Sequence, residues 1–380
     1  MKKKILYIFF ILKTLFCAKW ELKKPKKNRY LIIDGLYNPF KCYLKNNETT
    51  YLFRRGESIN LPVIFKCLKK LEFDSISYYL NFIDFVKPKI LLTAFDHYPI
   101  FYKLSEKSKI KSIMLQRGKR TWQDGVFKNK LVCNKVNKKD NFVDYVLTHT
   151  EKTAKIYSSF IRGKFYSIGS FENNSKKFIN IKKRKEVVYI SNIKFDGKNQ
   201  PMGLNKYDHI SIKEIYSLTK KNNLRFNILG RHKGTKANLE LHYYKSFLPD
   251  DFIFINKNKY LDSYKAIKKY EYVFSDYSTI AVESLASGSK VGFIFFKPKV
   301  KSFFDLRLGK FEGLDINGPF WSAFSKLKIN EIKRVFNFVV NSNNKQWMYN
   351  RKKYSSKFIE YDKNNKIFLK IINKIIKDKI

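Results

Sequence analysis

The stretch from Tyr270 to Phe296, YEYVFSDYSTIAVESLASGSKVGFIFF, constrains the fold more than any other part of the chain. Tyr272 to Phe274 is an apolar run. Ser275, Asp276, Ser278 and Thr279 follow, residue types that open helices because their side-chain oxygens accept from the free N–H groups of a first turn. Ile280 to Ser287 then carries apolar residues at helical spacing, with Glu283 among them. Gly288 suits a helix end, and Val291 to Phe296 reads as a second buried strand. The pattern predicts a β-α-β unit. Its helix start is lined with hydroxyls, and such a terminus holds phosphate well because its dipole and unpaired donors both favour an anion. An ordinary crossover with an ordinary cap fits the stretch equally.

The same alternation runs through the rest of the chain. Strands are expected at Tyr30–Ile33, Thr50–Phe53, Ile90–Phe95, Ile113–Leu115, Tyr145–Thr148 and Phe165–Ile168. Helices fall between them at Leu61–Leu71, Ile76–Phe85, Ile100–Leu104 and Glu151–Phe160. Strands and helices taking turns at this spacing indicate a parallel α/β sheet. Residues 172–185, ENNSKKFINIKKRK, are polar and low in complexity, and read as a linker. The alternation restarts with strands at Val187–Ile190, Leu224–Leu229 and Phe252–Ile255 and helices at Ile212–Asn222 and Tyr260–Lys268. The expected organisation is a first doubly wound domain over 28–171, the linker, a second over 186–329, and basic helices over 330–380. Two such domains imply a cleft, with ligands beyond the carboxyl ends of the strands.

With 78 Lys and Arg against 32 Asp and Glu, the formal charge is +46. Lys, Asn, Ile, Phe and Tyr are abundant together, as AT-rich codons favour, so much of this charge needs no ligand to explain it. A positive surface still attracts anionic membranes, nucleic acids and phosphorylated substrates. Nucleic-acid binding is disfavoured, because the aromatics lie in strand and helix cores and no recognition signature is present. Cys17, Cys42, Cys67 and Cys133 show no paired or metal-binding spacing, which fits free thiols in a reduced, cytoplasmic setting. Residues 1–27 combine a basic start, the apolar run Ile5–Leu12 and a second basic segment from Lys19. They read as a helix lying at the inner membrane face, with packing on the first domain as the alternative; a cleaved signal is the least favoured of the three, because Lys13 interrupts the apolar run and no small-x-small site follows, and the run is too short to span a bilayer.

The chemistry is expected at strand ends. Asp96, after ILLTAF, is the leading candidate for a general base that deprotonates an acceptor hydroxyl, with His97 as the other. An Asp before a helix is also a common cap, and His97 a common turn residue. Gln116 and Gly118 suit a close backbone turn against a substrate, and Arg117 and Arg120 a phosphate or sugar acid. Their plain alternative is a solvated basic loop. In the second half, Arg231 is placed to reach a pyrophosphate. Ser275, Ser278 and Thr279 line the helix start, and Glu283 either accepts hydrogen bonds from a sugar or faces solvent. Walker, GxGxxG, GxSxG, HExxH and Asp-x-Asp motifs are absent, so a metal-free mechanism without a cofactor is expected.

The ordered segments resemble the bacterial surface-carbohydrate biosynthesis proteins, O-antigen and capsule glycosyltransferases of GT-B-like fold. FSDYSTIAVESLASGSKVGFIFF resembles their donor-domain signature. KKPKKNRYLIIDG, YLFRRGESINL, KPKILLTAFDHYPIFYKLS, IKSIMLQRGKR, GPFWS and NSNNKQW resemble further segments in order, over roughly residues 25 to 350. The resemblance implies Asp96, Gln116, Gly118 and Arg120 on an acceptor side and Ser278, Thr279, Glu283 and Ser284 on a donor side. Arg117 stands where the family carries Asn, and His97 where a small polar residue is common. The implied activity is metal-independent transfer of a sugar from a nucleotide-sugar donor to a glycan or lipid-linked acceptor at the inner membrane surface. The alternative is a teichoic-acid-type polyol-phosphate or sugar-phosphate transferase with a CDP-linked donor.

Overall fold

The computed structural model describes residues 17–35, 38–53, 57–72, 74–118, 138–175, 181–197, 199–202, 206–257, 260–276, 278–296, 314–324 and 326–377. The chain forms two compact units. The described residues up to Arg117, from 138 to Phe171 and from Asn365 onward make the first; Gly118 and the described residues from Glu172 to Asn364 make the second.

The first unit is built on a six-stranded, all-parallel sheet of β1 (Tyr30–Ile33), β2 (Thr49–Leu52), β3 (Ile90–Thr93), β4 (Lys111–Leu115), β5 (Phe142–Thr148) and β6 (Arg162–Ser167). The spatial order is β2-β1-β3-β4-β5-β6, so the winding reverses between β1 and β3. Helices α1 (Leu61–Lys69), α2 (Ser75–Val86), α3 (Pro99–Ser108) and α4 (Glu151–Ser158) connect the strands. Local chemistry sets their starts. Asn60 Oδ1 accepts from Val63 N ahead of α1, and Asp74 from Ile76 and Ser77 N ahead of α2.

A parallel sheet must be covered on both faces. One face of this one carries Leu31, Ile33, Leu91 and Met114 under the crossover helices. The other carries Ile32, Ile90, Leu92, Ile113 and Leu147, and the last helix of the chain covers it with Phe368, Ile371, Ile372 and Ile375. The C-terminal residues, expected as one helical tail, therefore divide between the units. Phe171 and Phe368 meet edge to face at 4.9 Å, and Asn365 Nδ2 donates to the Phe171 carbonyl at 2.8 Å.

The second unit holds β7 (Arg184–Ile190), β8 (Phe226–Leu229), β9 (Ile253–Ile255), β10 (Tyr270–Ser275), β11 (Lys290–Phe296) and β12 (Trp321–Phe324), with a two-residue antiparallel strand at the edge. Its order is β9-β8-β7-β10-β11-β12, the six-stranded Rossmann arrangement, and its winding reverses between β7 and β10. Helices α5 (Lys206–Lys221), α6 (Thr235–Lys245), α7 (Tyr260–Ile267) and α8 (Thr279–Ala286) link the strands; α9 (Ile329–Asn341) and α10 (Asn344–Phe358) follow. The expected β-α-β unit is β10-α8-β11. Gly288 has φ +103°, the left-handed conformation that a helix-ending glycine supplies.

Two local expectations are corrected. Residues 19–27 are not helical: Lys19–Glu21 is a strand paired in parallel with Ser58–Asn60, and no helix follows it before Tyr30. Residues 1–16 lie outside the described residues. The expected linker over 172–185 ends early, because β7 begins at Arg184. Arg184 N donates to Lys269 O, which draws these last residues into the sheet. Among the described residues, no helix is long and apolar enough to cross a membrane.

Candidate functional site

In the first unit, Asp34 and Asp96 follow the two strands that flank the reversal of winding. Asp34 takes φ +64° and its N–H reaches Leu52 O at 2.8 Å. Thr93 Oγ1 ties the two strand ends together, donating to Ile33 O at 3.1 Å and accepting from Phe95 N at 3.1 Å.

Asp96 is wholly enclosed. It is not the N-cap of α3: that position is Tyr98, which makes no side-chain capping bond. One oxygen accepts a hydrogen bond from Tyr157 Oη on α4; the other lies 3.5 Å from Arg117 N and 3.7 Å from His97 Nδ1. The Tyr102 hydroxyl bonds the Asp96 carbonyl. Asp96 is thus a buried knot that joins β3, α3, α4 and the turn after β4. The exposed partner is His97, whose side chain is 38% accessible and whose ring lies edge-on to Phe95. A proton acceptor must reach its proton, and of these two side chains His97 is the accessible one while Asp96 is enclosed.

Gln116 is also structural in its contacts. It is 4% exposed and its Oε1 accepts from His149 N at 2.8 Å, which clamps the end of β4 to the end of β5. Arg117 lays its guanidinium over the Phe95 ring at 4.9 Å. A Cβ at Gly118 would meet nothing within 4 Å. Arg120 lies outside the described residues.

In the second unit, Asn192 follows β7 and Asp276 follows β10, and a hydrogen bond from Asn192 Nδ2 to Asp276 Oδ1 bridges the reversal point. Arg231, after β8, extends its guanidinium to Asn192 Oδ1 at 3.3 Å. The arginine is held by its backbone. Glu240 of α6 is fully buried, and its carboxylate accepts from Arg231 N at 2.9 Å and His232 N at 2.9 Å. Gly230 makes this turn possible, since a Cβ there would stand 2.7 Å from the Phe254 ring and 3.4 Å from Glu240 Oε2. His232 Nε2 contacts Ile193 O at 3.0 Å. Lys257, beyond β9, feels the same charges. Burial pushes its ammonium pKa down, Glu240 opposes that, and Arg231 and Lys233 add to it.

The hydroxyls divide along the turn. Ser275 is buried, and its Oγ accepts from Ser278 N at 3.3 Å. Ser278 is the N-cap of α8 yet makes no side-chain capping bond, and Thr279 is exposed. Reversal-point polar groups, an anchored arginine and an uncapped helix start therefore gather at the carboxyl ends of the strands of one sheet, the end where ligands lie in open α/β sheets.

Glu283 and Ser284 do not join them. Ser284 Oγ donates to Ile280 O, one turn back, and Glu283 is 3% exposed, so it does not face solvent. It sits in a buried charged group. Asn173 Nδ2 donates to its carbonyl at 2.8 Å. Burial, then the Glu283 charge, push the Glu172 carboxyl up to about 8. Burial pushes Lys268 down to about 8, while Glu283 pulls it up.

Sequence reading missed Glu240, Tyr157 and His149. Glu240 had a signal: with Ala237 and Tyr244 it completes the inward face of α6 at helical spacing, a carboxylate at a core position. Tyr157 shares the buried face of α4 with Thr153, which is indistinguishable from ordinary core packing until Asp96 is seen beneath it.

Two Rossmann-like units, each with its polar residues gathered at the reversal of winding, define an α/β protein of the GT-B-like class with C-terminal helices. A family model described as "putative O-antigen biosynthesis protein" matches residues 113–376, and the chain belongs to that family. No curated protein sequence matches it. Among solved structures it is similar to UDP-GlcNAc 2-epimerase from Neisseria meningitidis bound to UDP-GlcNAc, at 12% identity and TM-score 0.54, over 91% of this chain and 99% of the other. It is also similar to the wall teichoic acid polymerase TagF, at 12% identity and TM-score 0.51, over 94% and 91%. These likenesses are of fold.

Proposed function

We propose that this protein is a glycosyltransferase of cell-surface polysaccharide (O-antigen, lipopolysaccharide or capsule) biosynthesis. It moves a sugar from a nucleotide-sugar donor to a glycan or lipid-linked acceptor in the cytoplasm, at the inner face of the membrane. The observation that carries this reading is the edge of the second unit, where Arg231, Asn192, Asp276 and the Ser275–Thr279 turn meet at the reversal point. The family to which the chain belongs supports the pathway.

In this reading the donor diphosphate lies on the N–H groups of the uncapped α8 terminus, with the Ser278 and Thr279 hydroxyls and the Arg231 guanidinium beside it. His97 accepts the proton of the acceptor hydroxyl as that oxygen bonds to the anomeric carbon. The sugar–phosphate bond breaks, and the nucleotide leaves with its electron pair. Asp96, 3.7 Å from His97 Nδ1, stabilises the imidazolium. No step calls for a metal, so EDTA is expected to leave the rate unchanged.

A panel of nucleotide sugars with the purified chain tests the reading, with nucleotide release and donor binding as readouts. Binding of at least one donor, weakened by Arg231→Ala, is expected. No donor binding at all would sink it. Release of CMP from CDP-glycerol, with no sugar donor turned over, would replace it with polyol-phosphate transfer.

A further inference from the structure

One face of the first unit carries large apolar side chains that the core leaves outside. Helix α1 buries Val63 and Cys67. Its other side presents Phe65 at 55% exposure and Leu68 at 46%, continued just beyond by Leu71 at 79%. Lys69 and Lys70 flank that stripe in the open, while Lys66 is paired with Asp84.

A basic ribbon is laid beside the start of this helix. Trp20 pairs with Ile59 in the parallel strands, and Asn60, the cap of α1, donates from Nδ2 to Lys23 O at 2.8 Å. The ribbon exposes Leu22 at 73% and Trp20 at 40%. It borders an open cleft of about 530 Å³ whose lining includes Lys19, Lys23, Lys24, Lys26, Asn47 and Thr50. Glu21, whose carboxylate accepts from Ser58 Oγ at 2.8 Å and Asn60 Nδ2 at 3.4 Å, also lines that cleft, one negative charge against the four lysines.

We infer that this face docks on an anionic lipid bilayer. Phe65, Leu68, Leu71 and Leu22 enter the interface, and Lys19, Lys23, Lys24, Lys26, Lys69 and Lys70 meet the phosphate headgroups. Exposed apolar side chains on two elements joined at Asn60 mark an interaction surface. The lysines among them choose the partner. A second copy of the chain would set lysine against lysine. The N-terminal MKKKILYIFFILK segment would do the same, with Lys2, Lys3, Lys4 and Lys13. An anionic bilayer supplies both an apolar layer and the opposite charge. Long lysine stems let the ammonium groups stay at headgroup level while the apolar residues go deeper. The inference goes beyond the transfer reaction and does not depend on which donor is used.

Sedimentation of the full-length chain with phosphatidylglycerol-containing vesicles, against pure phosphatidylcholine vesicles, reads it directly. Wild type is expected on the anionic vesicles, with much less on the neutral ones and release as salt rises. Phe65→Ser/Leu68→Ser/Leu71→Ser is expected to weaken binding at least tenfold. Lys23→Glu/Lys24→Glu/Lys26→Glu, which leaves the apolar stripe intact, tests the same face independently and is expected to do likewise. Far-UV circular dichroism confirms that each variant folds, and donor binding is expected unchanged in both. Two folded variants that sediment like wild type would overturn the inference, as would equal binding to neutral vesicles. A wild-type dimer that the serine variant converts to monomer would also overturn it, giving the face to a second copy. Loss of donor binding in wild type would count against the transferase reading and leave the vesicle result standing.

Discussion

The two sheet edges solve the same topological situation in opposite ways. Both place polar residues where the winding reverses. In the first unit those residues are bonded inward: Asp96 to Tyr157 and the Arg117 amide, Gln116 to the His149 amide. In the second they form an exposed-facing set, with Arg231 pinned from behind by Glu240 and Ser278 left without a capping bond. A buried, fully bonded carboxylate orients its neighbours. A helix start with an idle hydroxyl offers itself to a ligand. Position at the reversal point nominates residues for function, and burial decides which of them can touch a substrate.

Substitutions at matched places break or sharpen that contrast. The largest effect is expected for Asp96→Ala. It strands the Tyr157 hydroxyl in the core and frees the turn after β4, and should cost about 3 kcal/mol of stability by urea titration, together with most of the transferase activity. A variant as stable as wild type would show that the first edge is not the rigid one. Glu240→Ala comes next. It removes the acceptor for two backbone N–H groups, at about 2 kcal/mol of stability, and donor affinity measured by calorimetry should fall roughly tenfold as Arg231 loses its anchor. Unchanged donor affinity would separate Arg231 from the donor. Ser278→Ala should leave stability within about 0.5 kcal/mol, since no capping bond is lost, while donor affinity drops several-fold. A stability loss without an affinity loss would return this residue to ordinary capping.

The smallest expected effect is a pH dependence in the second unit. Glu172 has one carboxylate oxygen enclosed without a partner, and its folded pKa is raised to about 8. Its neutral form is the one the fold prefers. Its contribution is therefore complete below the ordinary glutamate range near 4.5 and is lost as pH climbs toward 8. Lys268, lowered to about 8, gains across a window above that, up to its ordinary 10.5, so the two do not overlap. Glu172→Gln should flatten the decline in melting temperature between pH 5 and 8. An unchanged slope would remove Glu172 as its source.

Local pattern carried much of this architecture. Tyr270–Ser275, Thr279–Ala286 and Lys290–Phe296 lie within a residue or two of the elements expected from hydroxyls, helical spacing and Gly288, because caps and periodicity are properties of neighbours in sequence. The same logic placed Asp96, Gln116, Arg231 and Ser275 at strand ends. It could not say which of them were enclosed. Glu283 looked like a sugar ligand or a solvent-facing residue, and is buried beside Glu172, 111 positions away.

Alternation of strand and helix, spacing and capping determined two doubly wound units and the positions of their strand ends, since each rests on interactions spanning a few residues. Tertiary structure decided the rest. It buried Asp96 under Tyr157 and left His97 only half-buried, set Glu240 behind Arg231, and sent the final helix to cover the first sheet. Those outcomes depend on which distant side chains close over a polar group, and the free energy of a carboxylate is set by that enclosure more than by its neighbours along the chain.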